Sequence, residues 1–197
     1  MAEEVRTVPP VADPAPLGLA AFALTTFLLS AANAGWMTAA TGSAWLGYAL
    51  AYGGAAQLLA GMWEFRNRNV FGATAFSTYG GFWIGLFLWV QFVAPHAASA
   101  SAADHDLGWI LLAFAIFNTY MLIMSAQLNM AVFGVFLTLE LTEIILVIGN
   151  FTGTSGIVKL GGYVGILTAL VAWYTSAAGV GTSLNGRVRL PVGRPLI

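Results

Sequence analysis

The chain has 197 residues, of which 8% are charged and 59% hydrophobic, with a net charge of −1 and a mean hydropathy of +0.82. Soluble domains carry about a quarter charged residues, so a water-soluble globular protein is excluded, and the near-zero charge leaves no basic footprint for nucleic acid. With no cysteine and only two histidines, His96 and His105, in one polar stretch, disulfides and thiol chemistry are excluded and neither a metal nor a cofactor is expected.

Residues 1–12 form an N-terminal tail. From Pro14 to Trp63, fifty residues then pass without an Asp, Glu, Lys or Arg. A bilayer core is about 30 Å thick and needs roughly 20 apolar helical residues to cross, so this stretch holds two crossings and a turn. The first predicted helix covers 17–39. Asp13-Pro14-Ala15-Pro16-Leu17-Gly18 leads into it; Asp suits an N-cap and Pro the first helical turn. Ala32-Asn33-Ala34 resembles a signal-peptidase site, but Glu3, Glu4 and Asp13 outnumber Arg6 ahead of it, and signal peptides begin positive. Phe22, Thr25, Thr26, Leu29, Ser30 and Asn33 recur at helical spacing. Their neutral donors suit a carboxylate that has lost its water; back-bonding by Ser and Thr and plain packing explain the same pattern.

Thr41-Gly42-Ser43 provides a turn, and the second helix is predicted over 44–64. Gly53, Gln57 and Gly61 give it a smooth face. Glu64, Arg66 and Arg68 read as an ordinary cytoplasmic charged loop. The third helix, 70–93, carries Thr74, Ser77, Thr78, Gly81 and Gly85 and is closed by Pro95. The fourth is predicted over 107–127, after an outward loop holding Asp104 and Asp106.

The fifth, 130–150, is interrupted by Glu140 and Glu143, which share one side because they lie three residues apart. Carboxylates inside a membrane are costly and point to function. Proton carriage is one reading; hydrogen bonding to nearby polar residues, or a pair between Glu143 and Lys159, is the other. Asn150 to Gly156 reads as a loop. The sixth helix, 157–181, presents Gly161, Gly165, Thr168, Ala172 and Ser176 on one face, a pattern that lets membrane helices approach closely. The transmembrane unit is thus 13–182, succeeded by a tail over 183–197.

Lys and Arg set orientation. With the N-terminus inside, Arg6, Arg66, Arg68, Arg187, Arg189 and Arg194 are cytoplasmic and only Lys159 lies outside, at a helix end where it can snorkel. Trp36, Trp45, Trp63 and Trp109 are expected near the membrane interfaces.

Asp13-Pro14-Ala15-Pro16-Leu17-Gly18-Leu19 resembles the N-P-A-P-L-G-L signature of the acetate uptake transporter family, of the bacterial succinate–acetate permease type. The likeness continues through Phe22, Thr25-Thr26 and Asn33, then Tyr52-Gly53-Gly54, Ala56-Gln57, Ala60-Gly61 and Glu64. Phe71-Gly72, Thr74-Ala75-Phe76, Tyr79-Gly80, Phe82-Trp83, Leu139, Ile148-Gly149-Asn150 and Leu190-Pro191-Val192-Gly193 complete it. The fourth helix matches least.

This resemblance implies an all-α membrane protein with six helices around a pore in each subunit, assembled as a homohexamer in the inner membrane. It implies transport of acetate and, in some members, succinate, with protons as co-substrate. A hydrophobic constriction would fall on Phe22, Tyr79 and Leu139, where the tyrosine hydroxyl offers one donor. Thr26, Asn33, Gln57, Thr78 and Asn150 would be the flanking anion contacts. Two departures stand out: the signature begins with Asp13 instead of Asn, and Glu140 and Glu143 occupy positions expected to be neutral.

Three rivals compete with a proton-coupled transporter. A passive acetate channel shares every sequence feature. A membrane sensor or scaffold is expected to carry a soluble output segment, and about sixteen residues come after Gly181. A membrane enzyme needs a catalytic set, and no nucleophile–base–acid arrangement is apparent.

Overall fold

The computed structural model describes residues 11–38, 43–184 and 189–197. Glu3, Glu4, Arg6, Thr41, Gly42 and Arg187 lie outside the described residues. Every regular element within them is helical.

Helix α1 spans Ala15–Asn33. Its prolines fall in the first turn, where a missing amide hydrogen costs nothing. The cap position itself is Pro14, and Asp13 Oδ1 accepts from Ala15 N one residue earlier than a standard cap, at 2.9 Å. The helix ends at Asn33, short of the predicted residue 39, because Gly35 turns the chain at φ +79°.

The second crossing is a composite: α2 (Leu46–Tyr48), a π-helical segment (Ala49–Ala56) and α3 (Gln57–Arg66) run on without a break. Each π turn carries an extra residue and rotates the helix beyond it. Small residues in the segment permit close approach, and Gly53 lies directly on the Thr25 side chain.

Asn69 caps α4 (Val70–Leu88) by accepting from Gly72 N at 3.0 Å. A π turn (Trp89–Val93) and a 3-10 turn (Ala94–His96) holding Pro95 close this crossing, as proline's missing donor requires. Ser99 caps α5 (Ala100–Ser125) and Asn129 caps α6 (Met130–Thr152). Helix α7 spans Ser155–Ser183.

Several boundaries differ from expectation. Asp104, His105 and Asp106 lie inside α5, because the Ser99 cap starts the helix seven residues early. Asn150 lies inside α6, and the loop shrinks to Gly153 and Thr154, with Gly153 at φ +62° satisfying the helix end. Trp36, Trp63 and Trp109 are exposed, but Trp45 is buried with Trp83 and Leu86. Glu64, expected in an open loop, is fully buried. Its carboxylate fits beside Gly72 at the head of α4, where any Cβ would collide with it, and accepts from Asn67 Nδ2 at 3.2 Å.

Five helical runs are long and apolar enough to cross a bilayer by length and composition; the composite second crossing makes the sixth. Leu59, Phe65, Ile116, Ile123 and Leu170 are among many large apolar side chains left exposed, as lipid-facing surfaces require. The protein is an all-α membrane protein.

Helix α7 packs between α1 and α6, α6 carries α5, and α3 with the π segment lies against α4 and α1. Helix α7 meets α1 at backbone distance through Gly162, which lies beside the predicted smooth face: a Cβ there would sit 2.5 Å from Ala34 N and 2.7 Å from Ser30 O, while Gly161 of the predicted face abuts Leu146 on α6. The ring of helices closes differently between α4 and the α5–α6 pair. There the gap is filled by rings: Phe71 on Phe136 at 5.2 Å, Tyr79 on Phe117 at 5.5 Å, and Phe82 on Phe114 at 4.6 Å between centroids.

The C-terminal segment returns to the bundle. Val192 O accepts from Ala131 N at 2.9 Å, Ala126 O accepts from Leu196 N at 2.8 Å, and Tyr174 donates its hydroxyl to Pro191 O at 2.6 Å.

Candidate functional site

Three of the cavities among the described residues bear on the predicted site. The first, about 100 Å³, is lined by Leu19, Phe22, Gln57, Asn69, Tyr79 and Leu139 among others. Phe22, Tyr79 and Leu139 come from α1, α4 and α6. All three belong to one buried cluster, and the Phe22 and Tyr79 rings meet edge-on with centroids 5.7 Å apart. The amide of Gln57 faces this mostly apolar space, brought there by the π segment that precedes it. Gln57 is buried and its Oε1 has no hydrogen-bond partner among the described residues.

The second cavity, about 530 Å³, lies at the C-terminal end of α1. Asn33, Asp104, Asn150 and Lys159 line it with Leu29, Trp45 and Leu111. The third, about 430 Å³, lies at the opposite end of α1 and is lined by Asp13, Pro16, Asn129, Thr175 and Val192. The signature residues Asp13 to Gly18 therefore sit at one mouth of the bundle. Pro14 and Gly18 are buried there, and a Cβ on Gly18 would meet the Phe76 ring at 2.7 Å. Thr26 is buried with its hydroxyl unpartnered, and neither it nor the half-buried Thr78 lines any of these three cavities.

Between α4, α5 and α6 lies a polar cluster in otherwise apolar surroundings. Tyr79 directs its hydroxyl to Asn118 Oδ1 at 3.1 Å and Glu143 Oε1 at 3.3 Å. Asn118 Nδ2 donates to Glu140 Oε2 at 2.7 Å and to Phe136 O at 3.0 Å. Thr119 donates to Glu140 Oε1 at 2.8 Å. Glu140 is thus tied to α5 and Glu143 to Tyr79 on α4, and Lys159 forms no pair with Glu143 among the described residues. Glu143 Oε2 remains without a partner. Unpaired polar atoms at such depth are costly.

One sequence expectation changes here. The Tyr79 hydroxyl is engaged by Asn118 and Glu143, so the face that Tyr79 turns to the cavity is its ring, not a donor. Sequence reasoning misses Asn118, although it is completely buried and joins Glu140 to the tyrosine. Its signal is present: a lone amide amid the apolar run of α5 from Leu111 to Ile123, where polar side chains in membranes usually bind across helices.

The family model described as GPR1/FUN34/yaaH matches residues 4–194. Acetate permease A of Emericella nidulans is 40% identical over 195 residues, covering 92% of this chain and 65% of the relative. The chain likewise spans 64% of the length of two Saccharomyces cerevisiae relatives it matches at 39% and 37% identity. The succinate-acetate/proton symporter SatP of Escherichia coli is 33% identical over 184 residues, covering 93% of this chain and 96% of the relative. The solved structure of the bacterial acetate channel SatP superposes with a TM-score of 0.85 at 32% identity, covering 93% of this chain and 99% of that one. Agreement of sequence over nearly the whole length with the same helical framework leads to one conclusion: the chain belongs to the GPR1/FUN34/yaaH family.

Proposed function

We propose that this chain moves small carboxylates, acetate first and succinate second, across the cell (inner) membrane together with protons. The observation that carries this reading is the first cavity. Side chains from three helices, Phe22, Tyr79 and Leu139, line it together with Ala15 of the signature and Gln57, whose amide NH2 can donate to an anion. An anion passing the rings must shed water, and neutral donors can replace that water without holding the ion too tightly. Phe22, Tyr79 and Leu139 act as the constriction in this reading. Thr26, Asn33, Gln57, Thr78 and Asn150 are its anion contacts, and Glu140 and Glu143 carry the proton. The names of the similar permease and symporter support the substrate class.

Arg66, Arg68, Arg189 and Arg194 lie toward the same end of the bundle as Asp13, which supports cytoplasmic termini. A homohexamer accounts for the outward Gly81 and Gly85 on α4, where a Cβ would meet nothing within 4 Å. Small residues on a lipid-facing helix allow another helix to approach.

A passive acetate channel is the second reading, favoured by the description of the superposing structure as a channel. Radiolabelled acetate uptake into proteoliposomes separates the two. A proton gradient alone should drive acetate above its equilibrium level if protons are coupled. Equilibration without accumulation supports the channel, and vesicles impermeable to acetate, succinate, formate and lactate at two pH values overturn both.

A further inference from the structure

The cavity at the C-terminal end of α1 differs from the other two in one respect: of the three, it alone is lined by a lysine or arginine. Lys159 projects from the second turn of α7. Its stem lies over the turn that ends α1, with the Cε 3.7 Å from where a Cβ on Gly35 would stand. That places it beside Asn33, the last residue of α1. Among the described residues no carboxylate lies within 4.0 Å of its ammonium; the one ion pair found is His105 with Asp106. Asp104 lines the same cavity without reaching it.

The neighbouring donors are also uncommitted. The Asn33 side chain makes no hydrogen bond to the described residues. Asn150 uses one Nδ2 hydrogen on Leu146 O at 2.8 Å and keeps the second. An ammonium and two amides thus line a space of about 530 Å³. A helix-capping or snorkelling lysine would need neither amide.

We propose that Lys159, Asn33 and Asn150 form a capture site for a single carboxylate group at this mouth, and that Asp104 opposite disfavours a second negative charge. The proposal rests on the carboxylate-transport reading and adds to it a charge-selective first step. The lysine is exposed to water, so its attraction is screened. It raises the local concentration of anion without trapping it, as a charged vestibule does. Release toward the rings then requires no strong bond to break.

The test is concentration-dependent acetate uptake by the full chain in proteoliposomes. Lys159→Gln should raise the KM for acetate about fivefold at low ionic strength, the effect of losing one charge near 4 Å in water, with Vmax unchanged. The difference should fade as salt rises, and Lys159→Arg should restore the KM. Asp104→Asn should improve succinate as a competitor of acetate by about the same factor. An unchanged KM in Lys159→Gln, or a lowered Vmax with the same KM, overturns the capture site. An unchanged succinate ratio in Asp104→Asn overturns the charge selection. If the native protein moves no acetate, the transport reading fails separately. Acetate binding to the purified protein, monitored by NMR line broadening, then decides the site: lost binding in Lys159→Gln supports it and equal binding overturns it.

Discussion

Where α7 crosses α1, backbone lies against backbone; where α4 faces α5 and α6, rings fill the space between. At the first contact Gly162 and Gly165 remove the side chains, and Ser30 and Ala34 press into the gap. Where Gly162 meets the α1 backbone there is no rotamer to change. At the second, Phe71, Tyr79 and Phe82 meet Phe136, Phe117 and Phe114, and side chains can turn between staggered positions while their helices stay in place. The same protein therefore holds a fixed seam and an adjustable one. The first cavity, the tyrosine and both carboxylates lie at the adjustable seam.

The largest effect should come from breaking the fixed seam. Gly162→Val places a branched side chain against the backbone of α1, which cannot yield, and should cost about 3 kcal/mol or more of stability, read as unfolding in mixed detergent. Gly81→Ala, in open space, should stay within about 0.5 kcal/mol. Equal losses at the two sites would erase the contrast. Next comes Asn118→Leu, which leaves Tyr79 and Glu140 without their amide partner and should cost about 2 kcal/mol by the same measurement. A neutral result would mean that the cluster re-forms without it.

A smaller change is expected for Tyr79→Ala at the adjustable seam. Uptake of lactate relative to acetate should rise about tenfold, equivalent to roughly 1.4 kcal/mol on the barrier. Unchanged uptake of both acids in proteoliposomes would show that the ring is not the barrier. Smallest is Glu143→Gln, which keeps the hydrogen bond to Tyr79 but cannot exchange a proton. The pH dependence of uptake should shrink by about threefold, and an unmoved pH profile would make Glu143 a structural partner of Tyr79.

The fixed seam is partly legible in the chain, since the small-residue stripe includes Gly165 but not Gly162 and its Gly161 packs on α6; the adjustable seam is not. Gly161, Gly165, Thr168, Ala172 and Ser176 recur at helical spacing, and spacing along one helix is a property of the chain itself. Asn118 shows the limit: its meaning depends on Tyr79, 39 residues away, and on Glu140, 22 residues away. Glu64 shows it too. Between Trp63 and Arg66 it looks like a loop residue, yet the turn into α4 folds it under Gly72, and only packing removes it from water.

Local rules alone thus dictated the membrane environment, the six apolar runs, the stiff Pro14–Pro16 start and the small-residue face of α7. Each comes from hydrophobicity, proline geometry or period, none of which needs a distant partner. Tertiary structure alone decided that Phe22, Tyr79 and Leu139 line one cavity, that the Tyr79 hydroxyl turns to Asn118 and Glu143, and that Lys159 stands beside Asn33. The reason is physical: which side chains from different helices converge is set by how the helices rotate against each other. That rotation is a joint property of all the contacts, written in no single stretch of the chain.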